Sequence, residues 1–129
     1  MYNDFIPQEL AQLLRNAGMP IRKQQEECGL KAEGADEQGF RWLYKIPYWE
    51  IFNIFLKKGI EISVRPRWAD TGWAQDYCWE VCNTNENTTP YGDLAVNWQD
   101  AANAAIRKAS EILPSLKENN KSEGIFASL

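Results

Sequence analysis

The sequence has no histidine and only three cysteines in 129 residues. Histidine is the side chain that most often acts as a general base near neutral pH, and it is also the most common metal ligand. Its absence weakens the case for an acid–base enzyme or a zinc protein, so we predict a non-enzyme with no catalytic residue, no metal and no cofactor. Three cysteines without a signal peptide indicate reduced thiols and a cytoplasmic location.

Long apolar runs and a surplus of positive charge are also lacking. No run approaches the ~20 apolar residues that cross a bilayer, and the N-terminus shows no basic region followed by an apolar stretch. Lysine and arginine total 14 against 18 aspartates and glutamates, which gives a net charge of −4. Nucleic-acid binders normally carry a basic surplus. We therefore expect neither nucleic acid nor a membrane as a partner.

The stretch 47–82 organises the rest of the chain, and its first part predicts a strongly apolar helix over 47–58. Pro47 suits the first helical position, where its missing N–H costs nothing, and Gly59 suits the left-handed cap after the last turn. Apolar side chains occupy most of the circumference of this helix, whereas an ordinary surface helix has a narrower apolar stripe. The helix therefore needs a cover on most sides.

A second copy of the chain is the cover that we predict for this helix. Trp49 and Ile54 lie at opposite margins of its apolar face, and exposed apolar patches usually mark interfaces. Twofold homo-oligomers are the most common solution, so we predict a homodimer formed through Trp49 and Ile54. The alternative is that segment 21–39 or the C-terminal tail covers the helix within one chain.

Two strands are predicted after the helix, over 60–67 and 77–82. Apolar and polar residues alternate in both, which is typical of strands with one buried face. The predicted buried faces are Ile60, Ile62 and Val64 in the first strand and Tyr77, Trp79 and Val81 in the second. Pro66 lacks an N–H donor, which places this end of the first strand at a sheet edge or a bulge. The connecting loop is longer than a tight turn and leaves the register open.

The remaining elements are two terminal helices and a third strand. The N-terminal helix runs to Ala17 and ends at Gly18 in a Schellman motif, and the last helix runs from the Asn97 cap to Pro114. The third strand covers 40–46, with Trp42 on its core face.

Together these elements predict an α+β fold. We predict a small antiparallel sheet packed on one face by the N- and C-terminal helices, with the additional apolar helix before the central hairpin. Segment 21–39 is predicted as a mobile acidic loop. The boundaries predicted from these patterns are one domain over 1–114 and a flexible tail over 115–129.

A candidate binding surface lies where the two central strands are joined. It comprises two arginines, two tryptophans and one aspartate: Arg65, Arg67, Trp68, Asp70 and Trp73. Aromatic rings beside such charges can bind sugars, bases or peptides. The alternative is that Trp68 and Trp73 fold over the sheet edge and belong to the core.

Two further clusters are weaker candidates for chemistry. Carboxylates are paired near the strands in two places: Asp70 with Asp76, and Glu61 with Glu80. Acid–base catalysis needs such groups in a cleft that perturbs their pKa values, and the sequence shows no cleft. Cys78 and Cys82 share one strand face roughly 13 Å apart, too far for a disulfide or a shared metal.

The order of these elements carries a resemblance. A helix from Ile6-Pro7 to Gly18, an aromatic-rich helix, the strand 59–64, a Trp/Tyr-rich strand and an alanine-rich closing helix follow one another. This order resembles small proteins of Bacteroides-type bacteria and their phages. The resemblance implies an α+β fold and an origin in phages or mobile elements. It implies no activity, so no functional residue is carried over.

These observations predict a non-catalytic protein-interaction module that self-associates or binds a host or phage protein. The alternative is a module that binds a small ligand, such as a glycan, through Trp68 and Trp73.

Overall fold

The computed structural model describes residues 2–84 and 91–127, with side chains up to Leu113. Its described part contains three helices and two small antiparallel sheets, which confirms the α+β class. The chain divides into two compact units, Tyr2–Tyr48 and Trp49–Leu129, which are described in turn. The boundaries 1–114 for one domain and 115–129 for a tail stay predictions.

The first unit contains helix α1 (Gln8–Asn16) and strands β1 (Lys23–Glu27) and β2 (Phe40–Tyr44). Gly18 follows α1 with a φ of +93°. Its N–H donates to the Arg15 carbonyl, and the N–H of Met19 donates to the Leu14 carbonyl. This is the predicted Schellman motif. Met19 is buried.

The interpretation of 21–39 as a loop is wrong for its first part, because β1 pairs antiparallel with β2. Pairing overrides the low strand propensity of this polar segment. Glu26 of β1 strengthens this pairing, because its carboxylate accepts hydrogen bonds from Arg41 at 2.9 Å and from Lys45 at 3.1 Å. The hydrogen bond from Arg41, followed by that from Lys45, lowers the pKa of the Glu26 carboxyl.

Trp42 also departs from the prediction. Tyr44 and Ile46 are buried as expected, but Trp42 is 61% exposed. The helix α1 packs on β2 and contacts the Tyr44 end through Gln8 and Gln12. The short helix α1 covers only part of the face of this two-stranded sheet. Trp42 lies on the part that is left uncovered and stays in solvent.

The second unit contains most of α2 (Tyr48–Lys57), a three-stranded sheet and α3 (Trp98–Ala127). The sheet order is β3 (Ile60–Trp68), β4 (Ala74–Asn83) and β5 (Tyr91–Ala95). Gly59, with a φ of +86°, ends α2 as predicted. Pro66 lies in the edge strand β3, and a bulge follows it between Arg67 and Trp68. The edge position and the neighbouring bulge were both expected, because Pro66 has no N–H to donate to a neighbouring strand.

The predicted buried faces of the two central strands are confirmed in part. Ile62 faces Val81 and Val64 faces Trp79 across the ladder. Val64 and Val81 are buried, and Ile62 and Trp79 are half-buried. Arg65, one residue away on the opposite face, is exposed, as the two-residue period of a strand requires.

Helix α3 packs on all three strands of this sheet. Asn97 caps it as predicted, because its Oδ1 accepts the Asp100 N–H at 2.8 Å. Its buried face is rich in alanine: Trp98, Ala101, Ala102, Ala105, Ile106, Ala109 and Leu113. The predicted end at Pro114 is wrong, since α3 continues to Ala127. Interior proline removes one N–H donor and crowds the carbonyl four residues earlier, which is why an end was expected, but its φ is compatible with a helix and the helix continues past it.

Candidate functional site

The hairpin tip, residues 68–73, is held in a defined conformation by its own backbone. The Gly72 N–H donates to the Ala69 carbonyl, and the Ala69 N–H donates to the Trp73 carbonyl, both at 2.9 Å. Gly72 has a φ of +85°. This is the pattern of a three-residue hairpin loop with glycine at the left-handed position. The sequence reasoning treated this loop as too long to fix the register, and these two bonds are what fix it.

Trp68 and Trp73 are both largely in solvent. Trp68 is 67% exposed and Trp73 is 77% exposed, and every residue from 70 to 75 is exposed. The alternative that these rings fold over the sheet edge into the core is therefore wrong. The hairpin tip projects from the packed sheet and presents two large rings.

The two arginines of the candidate surface are engaged by carboxylates on β4. Arg67 donates from Nε and Nη2 to the two oxygens of Asp76, both at 2.6 Å, and Arg65 lies 3.0 Å from Glu80. The hydrogen bond from Arg67 lowers the pKa of the Asp76 carboxyl. The same bond raises the pKa of the Arg67 guanidinium.

The carboxylate pairs expected from the sequence are not what the structure brings together. Glu80 faces Ser63 across the ladder and Glu61 faces Cys82, so Glu61 and Glu80 are not opposite one another. Asp76 is held by Arg67 instead of by a second acid. A carboxyl that is kept ionised in this way is poorly suited to donate a proton near neutral pH.

A depression of about 290 Å³ lies at the end of the sheet where β4 extends beyond β5. Its lining consists of Gln75, Asp76, Leu94, Ala95 and Val96. Neither tryptophan of the hairpin tip lines it. Small-molecule pockets usually measure about 300–1,000 Å³, so this depression is at the lower limit.

The predicted self-association surface on α2 is not continuous. Trp49 is 50% exposed and Leu56, seven residues later on the same side of the helix, is 51% exposed. Ile54 is only half-buried and lies on the opposite margin, as its position in the helix requires. The homodimer through Trp49 and Ile54 stays a prediction.

The exposed apolar residues of β5 and its end were missed by sequence reasoning, which treated 91–96 as a connection. Tyr91 is 53% exposed, Leu94 46% and Val96 82%. Tyr91 and Leu94 lie on opposite faces of the strand, and the segment has no clean alternation of apolar and polar residues that would have predicted a strand. Among the described side chains, no group of three or more Cys, Asp or Glu residues is placed to hold a metal ion.

Comparisons with protein-family models, with curated proteins and with solved structures find no match to this chain. None of the helices within the described residues is long and apolar enough to cross a membrane. An origin in Bacteroides-type bacteria or their phages and a cytoplasmic location stay predictions.

Proposed function

We propose that the protein is a non-catalytic protein-interaction module that binds a partner protein through the hairpin tip. The observation that supports this proposal is the exposure of Trp68 and Trp73, at 67% and 77%, on a loop closed by two backbone hydrogen bonds. Tryptophan is enriched among the residues that contribute most to protein interfaces. A loop already held in one conformation loses little entropy on binding.

The shape of the tip favours a protein over a small ligand. Small-ligand sites are concave and enclose most of the ligand. Residues 70–75 are all exposed, so the hairpin tip is a projection and the partner must provide the concave surface. A groove on a second protein meets that requirement, whereas a free sugar does not.

The charges of the tip define the chemistry of this groove. Arg67 and Asp76 neutralise each other, as do Arg65 and Glu80. Within the described residues, no cation is paired with the exposed carboxylate of Asp70. We therefore propose an apolar groove with a basic rim.

A small-ligand or glycan module is the second candidate, and the depression beside Leu94 and Val96 is the observation in its favour. The ligand would then bind there and not on the hairpin tip. Calorimetric titration with a glycan panel distinguishes the two, because a ligand held in the depression would bind equally well to wild type and to Trp68→Ser/Trp73→Ser, neither residue being part of its lining.

The experiment compares three bait proteins immobilised in lysate from the cells that make the protein: wild type, the double variant Trp68→Ser/Trp73→Ser, and Trp42→Ser. Trp42 is a matched control, since it is 61% exposed but lies in the first unit. We expect one protein to be retained by wild type and Trp42→Ser and lost with the double variant. The purified partner should then bind in a 1:1 ratio by calorimetry.

Equal retention by all three baits would contradict the proposal, as would the absence of any protein that depends on Trp68 and Trp73. Circular dichroism of each bait excludes unfolding as the cause of a loss.

A further inference from the structure

The free edge of β5 lacks the protection that the free edges of β2 and β3 have. Proteins commonly protect edge strands with proline, bulges or covering groups, because unpaired N–H and C=O groups invite another strand. The edge strand β3 contains Pro66 and a bulge. The free edge of β2 is occupied at Phe40 by Asp36 and at Tyr44 by Gln8. The edge strand β5 has no proline, lysine or bulge.

The backbone groups that face outward from β5 follow from the alternation of an antiparallel ladder. The Thr84 N–H donates to the Gly59 carbonyl at 2.8 Å, so the even-numbered residues of β4 bond toward β3. The odd-numbered residues of β4 therefore bond to β5, where they face Tyr91, Asp93 and Ala95. Consequently Gly92 and Leu94 direct their N–H and C=O groups away from β4, and Val96 follows the last residue of the strand in a bend.

These outward residues are open to solvent. Gly92 is exposed, Leu94 is 46% exposed and Val96 is 82% exposed. The Leu94 N–H is bonded only to the carboxylate of its neighbour Asp93, at 2.8 Å. Within the described residues, no strand pairs with this side of β5.

We propose that β5 pairs antiparallel with β5 of a second copy of this chain, about a twofold axis at Leu94. The two three-stranded sheets then become one continuous sheet. This inference goes beyond the proposed partner binding and does not depend on the hairpin tip.

The sequence of β5 selects this register. With the axis at Leu94, Gly92 faces Val96 of the second copy, and the two leucines face each other. The Val96 side chain, the most exposed of the three, thus lies over the residue without a side chain. The Leu94 pair exchanges two N–H···O=C hydrogen bonds, and the two Gly92–Val96 pairs add about four more when Val96, which follows β5 in a bend, becomes extended on pairing. An axis at Asp93 would instead place two carboxylates opposite each other, which is unfavourable.

This edge is a better candidate for self-association than the surface predicted on α2. Trp49 and Ile54 are on opposite margins of the helix, whereas Gly92 and Leu94 open on the same edge of one strand. The strand also offers directional groups that only another strand satisfies.

The expected dimer is weak. A five-residue strand is roughly 17 Å long, and the pair buries much less than the total of about 1,600 Å² in a standard interface. On pairing, the Leu94 N–H must also give up its hydrogen bond to the Asp93 carboxylate and donate to the Leu94 carbonyl of the second copy instead. We therefore expect a reversible dimer that is populated at roughly 100 μM and dissociates on dilution.

Sedimentation equilibrium of the full chain between roughly 1 and 300 μM tests the proposal. We expect Leu94→Lys to weaken dimerisation at least about tenfold, because an edge lysine opposes strand addition. Asp93→Ala should strengthen it, since it frees the central donor. Leu56→Lys is the matched control, because it places the same charge on a leucine of α2 that is 51% exposed.

A second measurement reports on the edge itself. Hydrogen exchange at the amides of Gly92 and Leu94 should slow as protein concentration rises in wild type and not in Leu94→Lys. A monomer throughout this range would overturn the proposal, and so would a dimer that is lost with Leu56→Lys and kept with Leu94→Lys. Open-ended oligomers would also contradict it, because a twofold pairing of edges closes at two copies.

Discussion

The side-chain amide of Gln8 bonds to the backbone of Tyr44 as a neighbouring strand would. Its Nε2 donates to the Tyr44 carbonyl at 2.6 Å, and its Oε1 accepts the Tyr44 N–H at 2.8 Å. Asp36 bonds to Phe40 in the same way at the other end of β2. The Asp36 N–H donates to the Phe40 carbonyl at 2.8 Å, and its Oδ1 accepts the Phe40 N–H at 3.0 Å. One helix and one loop thus close the ends of this sheet edge.

The first prediction concerns this amide. Gln8→Ala should reduce the free energy of unfolding by about 1–3 kcal/mol, because it removes two hydrogen bonds that each contribute about 0.5–1.5 kcal/mol. Gln8→Glu should cost more near neutral pH, since a carboxylate cannot donate to the Tyr44 carbonyl. Urea denaturation measures both. Gln24→Ala, at an exposed glutamine of β1, is the control, and a Gln8→Ala protein as stable as that control would contradict the prediction.

The second prediction concerns the acid side of stability. Hydrogen bonds from the Phe40 N–H and then the Gln38 N–H lower the pKa of the Asp36 carboxyl from its ordinary value of 3.8. A lowered pKa in the folded state stabilises the protein above the unfolded-state pKa, and this contribution disappears as pH falls through the folded-state pKa. Asp36→Asn should therefore be destabilising at neutral pH, and its difference from wild type should vanish in acid.

Unfolding free energies measured from about pH 6 to about pH 2.5 test this second prediction. Glu37→Gln removes the same charge at an exposed neighbour and corrects for net charge. A difference between wild type and Asp36→Asn that stays constant over this range would show that the charge of Asp36 does not contribute.

Several elements could be predicted because their signals are local. Gly18 and Gly59 have positive φ values at the ends of α1 and α2, and Asn97 caps α3. Each depends on residues within one turn of a helix. The alternation in 60–67 likewise identified the buried face of β3, since a register slip of one residue would expose it.

The elements that could not be predicted depend on distant partners. β1 is a polar strand that exists through its pairing with β2, and β5 is a five-residue strand that exists through its pairing with β4. Trp42 has the right spacing for a core residue, but its burial depends on how far α1 extends over β2. Sequence periodicity identifies a face and does not identify what covers it.

The candidate site was predicted in part for the same reason. Trp68 and Trp73 were identified from composition, and their exposure was one of two alternatives. The partners of Arg65 and Arg67 depend on the strand register, which two bonds within the loop determine. The binding potential of the arginines was therefore overestimated, because each is already paired with a carboxylate.

The third prediction separates exposed from buried tryptophan. Trp73→Ala should change the free energy of unfolding by less than about 0.5 kcal/mol, as is usual for exposed sites. Trp98 is 5% exposed and lies beside the ring of Phe52. Trp98→Ala should therefore lower the free energy of unfolding by about 3–5 kcal/mol. Urea denaturation followed by far-ultraviolet circular dichroism measures both without relying on tryptophan fluorescence. A large loss with Trp73→Ala would place that ring in the core after all.

The fourth prediction compares two glycines that are required for different reasons. A Cβ at Gly92 would lie 2.8 Å from the carbonyl oxygen of Trp79, a backbone atom that cannot move without moving β4. A Cβ at Gly72 would have nothing within 4 Å, but the φ there is +85°. Gly92→Ala should therefore destabilise by a steric clash of about 1–3 kcal/mol, and Gly72→Ala by backbone strain of about 1 kcal/mol.

Asparagine distinguishes these two causes, because it tolerates the left-handed region better than alanine does and is a larger side chain. Gly72→Asn should recover part of the stability lost in Gly72→Ala, whereas Gly92→Asn should be no more stable than Gly92→Ala. Thermal and urea unfolding at about 1 μM measure these differences, since dilution keeps a weak dimer dissociated. If Gly92→Ala were as stable as wild type, β4 and β5 would have to tolerate a wider separation at this point. The close approach of Gly92 to Trp79 would then not be a constraint on the sequence of β5.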